Sequence, residues 1–336
     1  MTTSTETETQ VVELTMGEAI NRALDEALAS GEPILHLGQD IGPHGGTFGV
    51  TRGLWEKYGD EVIRDGPLCE SATVGFAIGL AISGVRAVVE IEFFDFAGVA
   101  MDQIFNQAAK LHYFTGGKLT VPLIIRLPIV GRMGMGPQHS QSLEAWFMHI
   151  PGLKVALPSN AADAYGLLRH AIESPDPVIF LEPKRQYFAR EEVDVAVPVP
   201  PIGRAVVRRP GADATLIAYG PSVPVALAAA EHAATEGYDL GVVDIRSIVP
   251  FDDDTVTAEV RRTGRAVVIT EAAGFASVAS EIAARVTEQC FHYLEAPVRR
   301  VTGFDIPYPP PKLEHHHLPS VNRILDAVDT LQWEDQ

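Results

Sequence analysis

The chain has 336 residues, 46% hydrophobic and 21% charged, with a net charge of −18. Its length predicts about two globular domains with sizeable cores and argues against a disordered chain. The acidic balance argues against nucleic acid or an anionic membrane as partner and suits a basic protein. The two cysteines, Cys69 and Cys290, build neither a disulfide framework nor a metal site, which points to a reducing, cytoplasmic compartment.

Residues 1–13 are rich in Thr and Glu, lack an apolar core, and read as a disordered tail, neither a secretory signal nor a transit peptide. Met16 to Ser30 carries Ile20, Leu24, Ala27 and Leu28 on one helical face. Thr15 with Glu18 forms a start signal, and Gly31 is a stop. Pro33 to Gly38 is a short buried strand, followed by the glycine-rich loop Gly42 to Thr47. A short helix (Thr51 to Tyr58) and a strand (Val62 to Arg64) lead to a turn at Glu70. Beyond it alternate a helix from Thr73 to Ser83, a strand from Arg86 to Glu92, a helix from Asp102 to Phe114 and a strand from Pro122 to Leu127. Strands at 155–157 and 178–182 bracket a helix at 161–172. The apolar run from Val74 to Val89 is interrupted by glycines and Arg86 and is too short to span a membrane.

Strands that are nearly all apolar, alternating with helices, predict a parallel sheet covered on both faces. Residues 189–204, with prolines and mixed charge, read as a linker. A second α/β pattern occupies 205–336, with strands at 213–219, 238–244, 266–270 and 297–302 and helices at 222–236, 252–263, 277–289 and 320–331. The expected fold is therefore α/β with two doubly wound domains, 14–188 and 205–336.

Two residues stand out. Glu70 lies where a turn meets an apolar, small-residue helix, with no cation in the next ten residues. Taken alone it reads most simply as a helix-start acid, and otherwise as a catalytic carboxylate. His139, in the loop Gly131 to Ser142, follows a strand, where α/β sheets bind ligands. A plain surface-loop histidine is the competing reading. The glycine-rich segments contain neither GxGxxG nor GxxxxGK[ST], and there is no GxSxG elbow. His315 to His317, among prolines, read as a packed or exposed loop before a metal site, and Lys184-Arg185 as a solvated or salt-bridged edge.

Several blocks together resemble one family. They are Gly53 to Gly59, Pro67 to Gly79, Asp102 to Lys110, Gln138 to Ser142, Pro151 to Val155, Asp176 to Lys184 and Leu313 to Ser320. Over roughly residues 14–331 the chain is similar to beta subunits of the thiamine-diphosphate-dependent component of 2-oxo acid dehydrogenase complexes. The resemblance implies an N-terminal pyrimidine-binding domain and a transketolase C-terminal-like domain. It also implies an alpha subunit that completes an α2β2 heterotetramer and holds the diphosphate and magnesium through a Gly-Asp-Gly motif, which this chain lacks.

By the same resemblance, Glu70 hydrogen-bonds the aminopyrimidine, Phe96 packs on it, and His139 helps pass the acyl group to the lipoyl group of an acyltransferase core. That core would dock the subunit through a peripheral subunit-binding domain. Some members bind potassium through backbone carbonyls at Ala171, Ser174 and Asp176, although Ser174 departs from a commonly acidic position. Glu92 stands where relatives often carry a neutral residue, and the stretch around Phe94 to Gln107 also resembles acetoin dehydrogenase beta subunits. Pyruvate, a branched-chain 2-oxo acid and acetoin, a two-chain transketolase-like transfer, and a non-catalytic scaffold are the alternatives that follow.

Overall fold

The computed structural model describes residues 10–331 apart from 130 and 132. The expected tail at 1–13 thus lies largely outside the described residues. Its last part is a strand: β1 (Val11–Thr15) pairs antiparallel with β8 (Arg190–Asp194), which falls in the expected linker. These two strands were missed because both are short and mostly polar on their exposed faces.

The first domain continues with α1 (Met16–Ala29), β2 (Ile34–Gly38), α2 (Leu54–Tyr58), β3 (Ile63–Asp65), α3 (Glu70–Ile82) and β4 (Arg86–Glu90). Then come α4 (Leu111–Phe114), β5 (Leu123–Ile129), α5 (Glu144–Met148), β6 (Lys154–Ala156), α6 (Ala161–Glu173) and β7 (Val178–Pro183). The start of α1 follows its sequence: Thr15 Oγ1 accepts from Glu18 N at 3.1 Å, and Glu18 Oε2 accepts from Thr15 N at 2.8 Å. The helix expected at 102–114 is broken. A 3-10 helix at Phe94–Ala100 leads into a π-helical stretch at Asp102–Ala108 before α4. The wide turns accompany burial of Ile104 and Ala108 and an Asn106 Nδ2 to Asp102 Oδ1 bond of 2.6 Å.

The second domain holds β9 (Val206–Arg209), β10 (Ala214–Ala218), α7 (Ser222–Thr235), β11 (Leu240–Asp244), β12 (Ser247–Val249), α8 (Asp253–Thr263), β13 (Ala266–Ala273), α9 (Val278–Cys290), β14 (Arg299–Gly303), α10 (Glu314–His317) and α11 (Val321–Asp329).

Besides the β1–β8 pair, two larger sheets organise these elements. The first has the order β12-β6-β7-β5-β4-β2-β3, the second β14-β13-β10-β11-β9. Their inner strands are parallel, while β12 and β9 close edges antiparallel. Strand β12 belongs to the second half of the chain yet completes the first sheet beside β6. The domain boundary read from composition therefore does not divide the sheets.

Strand β5 is buried along its whole length and still carries Arg126. Its neighbours supply the counter-charges. Arg126 Nη1 donates to Glu90 Oε2 of β4 at 2.5 Å, and Nε and Nη2 donate to Glu182 of β7 at 2.7 and 2.9 Å. A bidentate guanidinium between two acids is what allows a charge in a central strand. Burial raises the Glu90 carboxyl above the usual range against the pull of Arg126.

Candidate active site

Helix α3 begins at Glu70 itself, three residues earlier than its apolar pattern indicates. Cys69 precedes it and makes no side-chain cap, so Glu70 occupies the first helical turn, where the backbone amides favour a negative charge. The carboxylate is half-buried, and no hydrogen bond or ion pair engages it among the described residues.

Glu70 lines a narrow cleft with Gly38, Glu90, Glu92 and Phe96. Gly38 ends β2 and Glu90 ends β4, so the cleft sits at the carboxyl edge of the parallel sheet. A side chain at position 38 would press on Ile41 and on the Glu90 backbone, and glycine leaves that floor open. Glu92 Oε1 accepts from Thr47 Oγ1 at 2.5 Å, which ties the glycine-rich loop after β2 to this edge. That loop therefore serves the site as structure, a role its glycine content alone did not disclose.

His139 lies next door, in the segment after β5. Its ring is 5.3 Å from Phe96 and 4.7 Å from Phe93, edge-on to both. Phe96 thus joins the two candidates: one part of it lines the Glu70 cleft and its ring packs on His139. The four sequence-indicated residues Glu70, Glu92, Phe96 and His139 come together at one sheet edge.

The loop carrying His139 is braced from the second domain. A side chain at Gly131 would overlap the Tyr308 ring, and Gly134 N donates to Glu314 Oε1 at 3.3 Å. Beyond the loop, Glu144 Oε1 accepts from Tyr219 Oη at 2.9 Å. Burial raises the Glu144 carboxyl above its ordinary range. The histidine run contributes to this brace by packing: His317 is buried against Tyr308, 5.3 Å between rings, and burial with Arg323 nearby lowers its basicity.

Sequence reasoning missed Lys184. Read as part of a solvated or salt-bridged edge, it is fully buried and pairs with no carboxylate among the described residues: Nζ donates to the His139 carbonyl at 2.6 Å and lies 4.9 Å from the Phe93 ring centre. Burial lowers its pKa to about 8, with Asp95 opposing. A lysine next to a proline at a strand end carries no periodic signal, so only the fold reveals it. Its neighbour Arg185 is the expected ion pair, 2.5 Å from Glu271 of the second domain.

Ala171, Ser174 and Asp176 sit at the opposite edge of the sheet from Glu70, before β7. Ser174 O accepts from Arg86 Nη1 at 2.9 Å, Asp176 O from Ser174 Oγ at 3.1 Å, and Ala171 O from Ser174 N at 3.2 Å. Lys154 Nζ pairs with the Asp176 carboxylate at 2.9 Å.

Comparison with known proteins bears on what this edge is. Residues 12–189 match the model of the transketolase pyrimidine binding domain, and 203–324 that of the transketolase C-terminal domain. The chain is 46% identical over 317 residues to a 3-methyl-2-oxobutanoate dehydrogenase subunit beta of Mycobacterium tuberculosis, covering 94% of this chain and 91% of the relative. It is 47% identical over 324 residues to a pyruvate dehydrogenase E1 component subunit beta of Leifsonia xyli, covering 96% of each. Among solved structures, a split-gene transketolase, an inactive beta4 tetramer, superposes with a TM-score of 0.79 at 23% identity over 95% of this chain and 98% of that one, a likeness of fold. With relatives this similar along nearly the whole chain, and both domain models matched in order, the chain belongs to the family of 2-oxo acid dehydrogenase beta subunits built on transketolase-type domains.

Proposed function

We propose that the chain is the beta subunit of a thiamine-diphosphate-dependent 2-oxo acid dehydrogenase, working with an alpha subunit in an α2β2 heterotetramer in the cytoplasm. The observation that carries this reading is the Glu70 carboxylate, without a side-chain partner among the described residues, in the cleft with Phe96 and Glu92. A half-buried carboxylate that no protein side chain engages is free to pair with a ligand in that cleft.

The residues present fit the pyrimidine half of the cofactor. Glu70 would share its carboxyl proton with a ring nitrogen, Phe96 would pack against the ring, and Glu92, held by Thr47, would border the pocket. Bound thiamine diphosphate supplies the electron sink that decarboxylation of a 2-oxo acid requires. His139, adjacent to Phe96, would face the reacting group and assist acyl transfer to a lipoyl group of the acyltransferase core. The diphosphate and magnesium would be held by the alpha subunit, since Gly-Asp-Gly is missing from this chain.

A potassium ion at Ala171, Ser174 and Asp176 would share carbonyls that already accept one hydrogen bond each and keep a second lone pair. Melting in potassium and in sodium buffers tests it: a higher melting temperature in potassium supports the site, and equal values overturn it.

The decisive experiment is Glu70→Gln in the reconstituted heterotetramer, assayed with pyruvate, branched-chain 2-oxo acids and acetoin and a dye acceptor. Near-normal turnover of the variant would refute the assignment. Turnover of acetoin alone would replace the 2-oxo acid with acetoin as substrate. The isolated chain with thiamine diphosphate and magnesium is expected to be inactive, and detectable decarboxylation would contradict a site shared between two chains.

A further inference from the structure

Lys184 stands at the end of β7, with no exposed surface and no carboxylate in hydrogen-bond contact among the described residues. Burying an ammonium in that way is costly, and such charges persist where their few contacts are needed. Here the contacts converge on one residue. Nζ donates to the His139 carbonyl at 2.6 Å, a charge-assisted bond, and rests over Phe93, whose ring is edge-on to the His139 imidazole at 4.7 Å.

The same short segment has a second anchor. Asp95 Oδ1 accepts from Gln141 Nε2 at 2.8 Å and from Gln141 N at 3.3 Å. Asp95 Oδ2 is buried without a hydrogen-bond partner, and its charge acts on Lys184 from a distance. Residues 139–141 are thus held by both a buried cation and a carboxylate, while the His139 ring itself makes no hydrogen bond among the described residues and packs on Phe93 and Phe96.

We infer that Lys184 is a positioning residue for His139: its ammonium fixes the His139 backbone, and through Phe93 the pitch of the ring, so that the imidazole points at the reacting group. The inference rests on the role proposed above for His139. Lys184 touches neither substrate nor cofactor in this account. The geometric demand is steep, because a displacement of about 1 Å at a catalytic group lowers turnover on the order of 100-fold.

The test is a double-mutant cycle in the heterotetramer, with lipoyl-coupled turnover, dye-coupled turnover and cofactor affinity measured for each variant. Lys184→Met is expected to lower lipoyl-coupled turnover about 100-fold and dye-coupled turnover less, with thiamine diphosphate affinity unchanged. His139→Ala should lower the same rate, and the double variant no further. Additive losses in the double variant, or full turnover of Lys184→Met beside an impaired His139→Ala, would overturn the positioning role. Full turnover of His139→Ala would remove the role of His139 and the positioning role with it. If Lys184→Met does not assemble, Lys184→Leu, which likewise lacks a donor, is measured in its place against the same outcomes.

Discussion

Two charged regions of this molecule follow opposite rules. At the domain interface, Asp163 of α6 accepts from Arg246 Nε at 2.9 Å and from Arg208. Arg208 Nε also donates to Asp244 at 3.1 Å, and Ser159 Oγ donates to the same Asp244 carboxylate at 2.6 Å. Asp163, Asp244 and Arg246 are buried, and each carboxylate meets a guanidinium. In the cleft, Glu70 is half-buried and faces no cation among the described residues. The first arrangement holds two domains in one geometry. The second leaves a carboxylate without a protein partner, the arrangement expected of a ligand site rather than of a structural ion cluster.

The comparison breaks most visibly under matched substitutions. Glu70→Gln is expected to lower turnover by at least about 100-fold while leaving the melting temperature of the chain unchanged, because no protein partner is lost. A drop in melting temperature would mean that Glu70 is structural after all. Asp163→Asn should do the reverse to stability. It leaves Arg208 and Arg246 short of a counter-charge, and chemical denaturation should report a loss of about 3–5 kcal/mol. A loss below about 1 kcal/mol would show that solvent reaches the cluster.

Glu144 sharpens the contrast through pH. Its carboxyl is raised above the ordinary value of 4.5 by burial, so the folded chain binds this proton more readily than the unfolded chain. The resulting stability is present at low pH and declines as pH rises from the ordinary value toward the raised one. Glu144→Gln keeps an acceptor for Tyr219 and removes the charge. Its melting temperature, relative to the parent, should therefore gain more at pH 8 than at pH 5, and an equal difference at both would contradict the assignment. The smallest effect belongs to the exposed pair Lys57–Asp25, 2.6 Å apart. Lys57→Ala should leave the melting temperature nearly unchanged, and a clear drop would mean the Asp25–Tyr58 bond depends on it.

Much of this was readable from local pattern. The capping box at Thr15 and Glu18, the apolar strands β5 and β7, and the helices α6 and α7 follow from residue period and end signals. Glu70 and His139 could be picked out because each follows a strand in a segment whose neighbours do not explain it. What escaped was whatever depends on distant partners: β1 and β8, which are strands only because they pair, and β12, which joins a sheet laid down about ninety residues earlier. Lys184 escaped for the same reason, since a charged residue beside Pro183 reads as surface until the fold closes over it.

The sequence by itself determined the α/β class, the order of two domains, the family, and two candidate residues, because period, turn chemistry and matched blocks are properties of short stretches of chain. Tertiary structure alone decided that Phe96 links Glu70's cleft to His139, that the second domain braces the loop carrying His139, and that a buried lysine holds the histidine's carbonyl. Those facts depend on distances between residues tens to hundreds of positions apart, and only packing of the sheets fixes such distances.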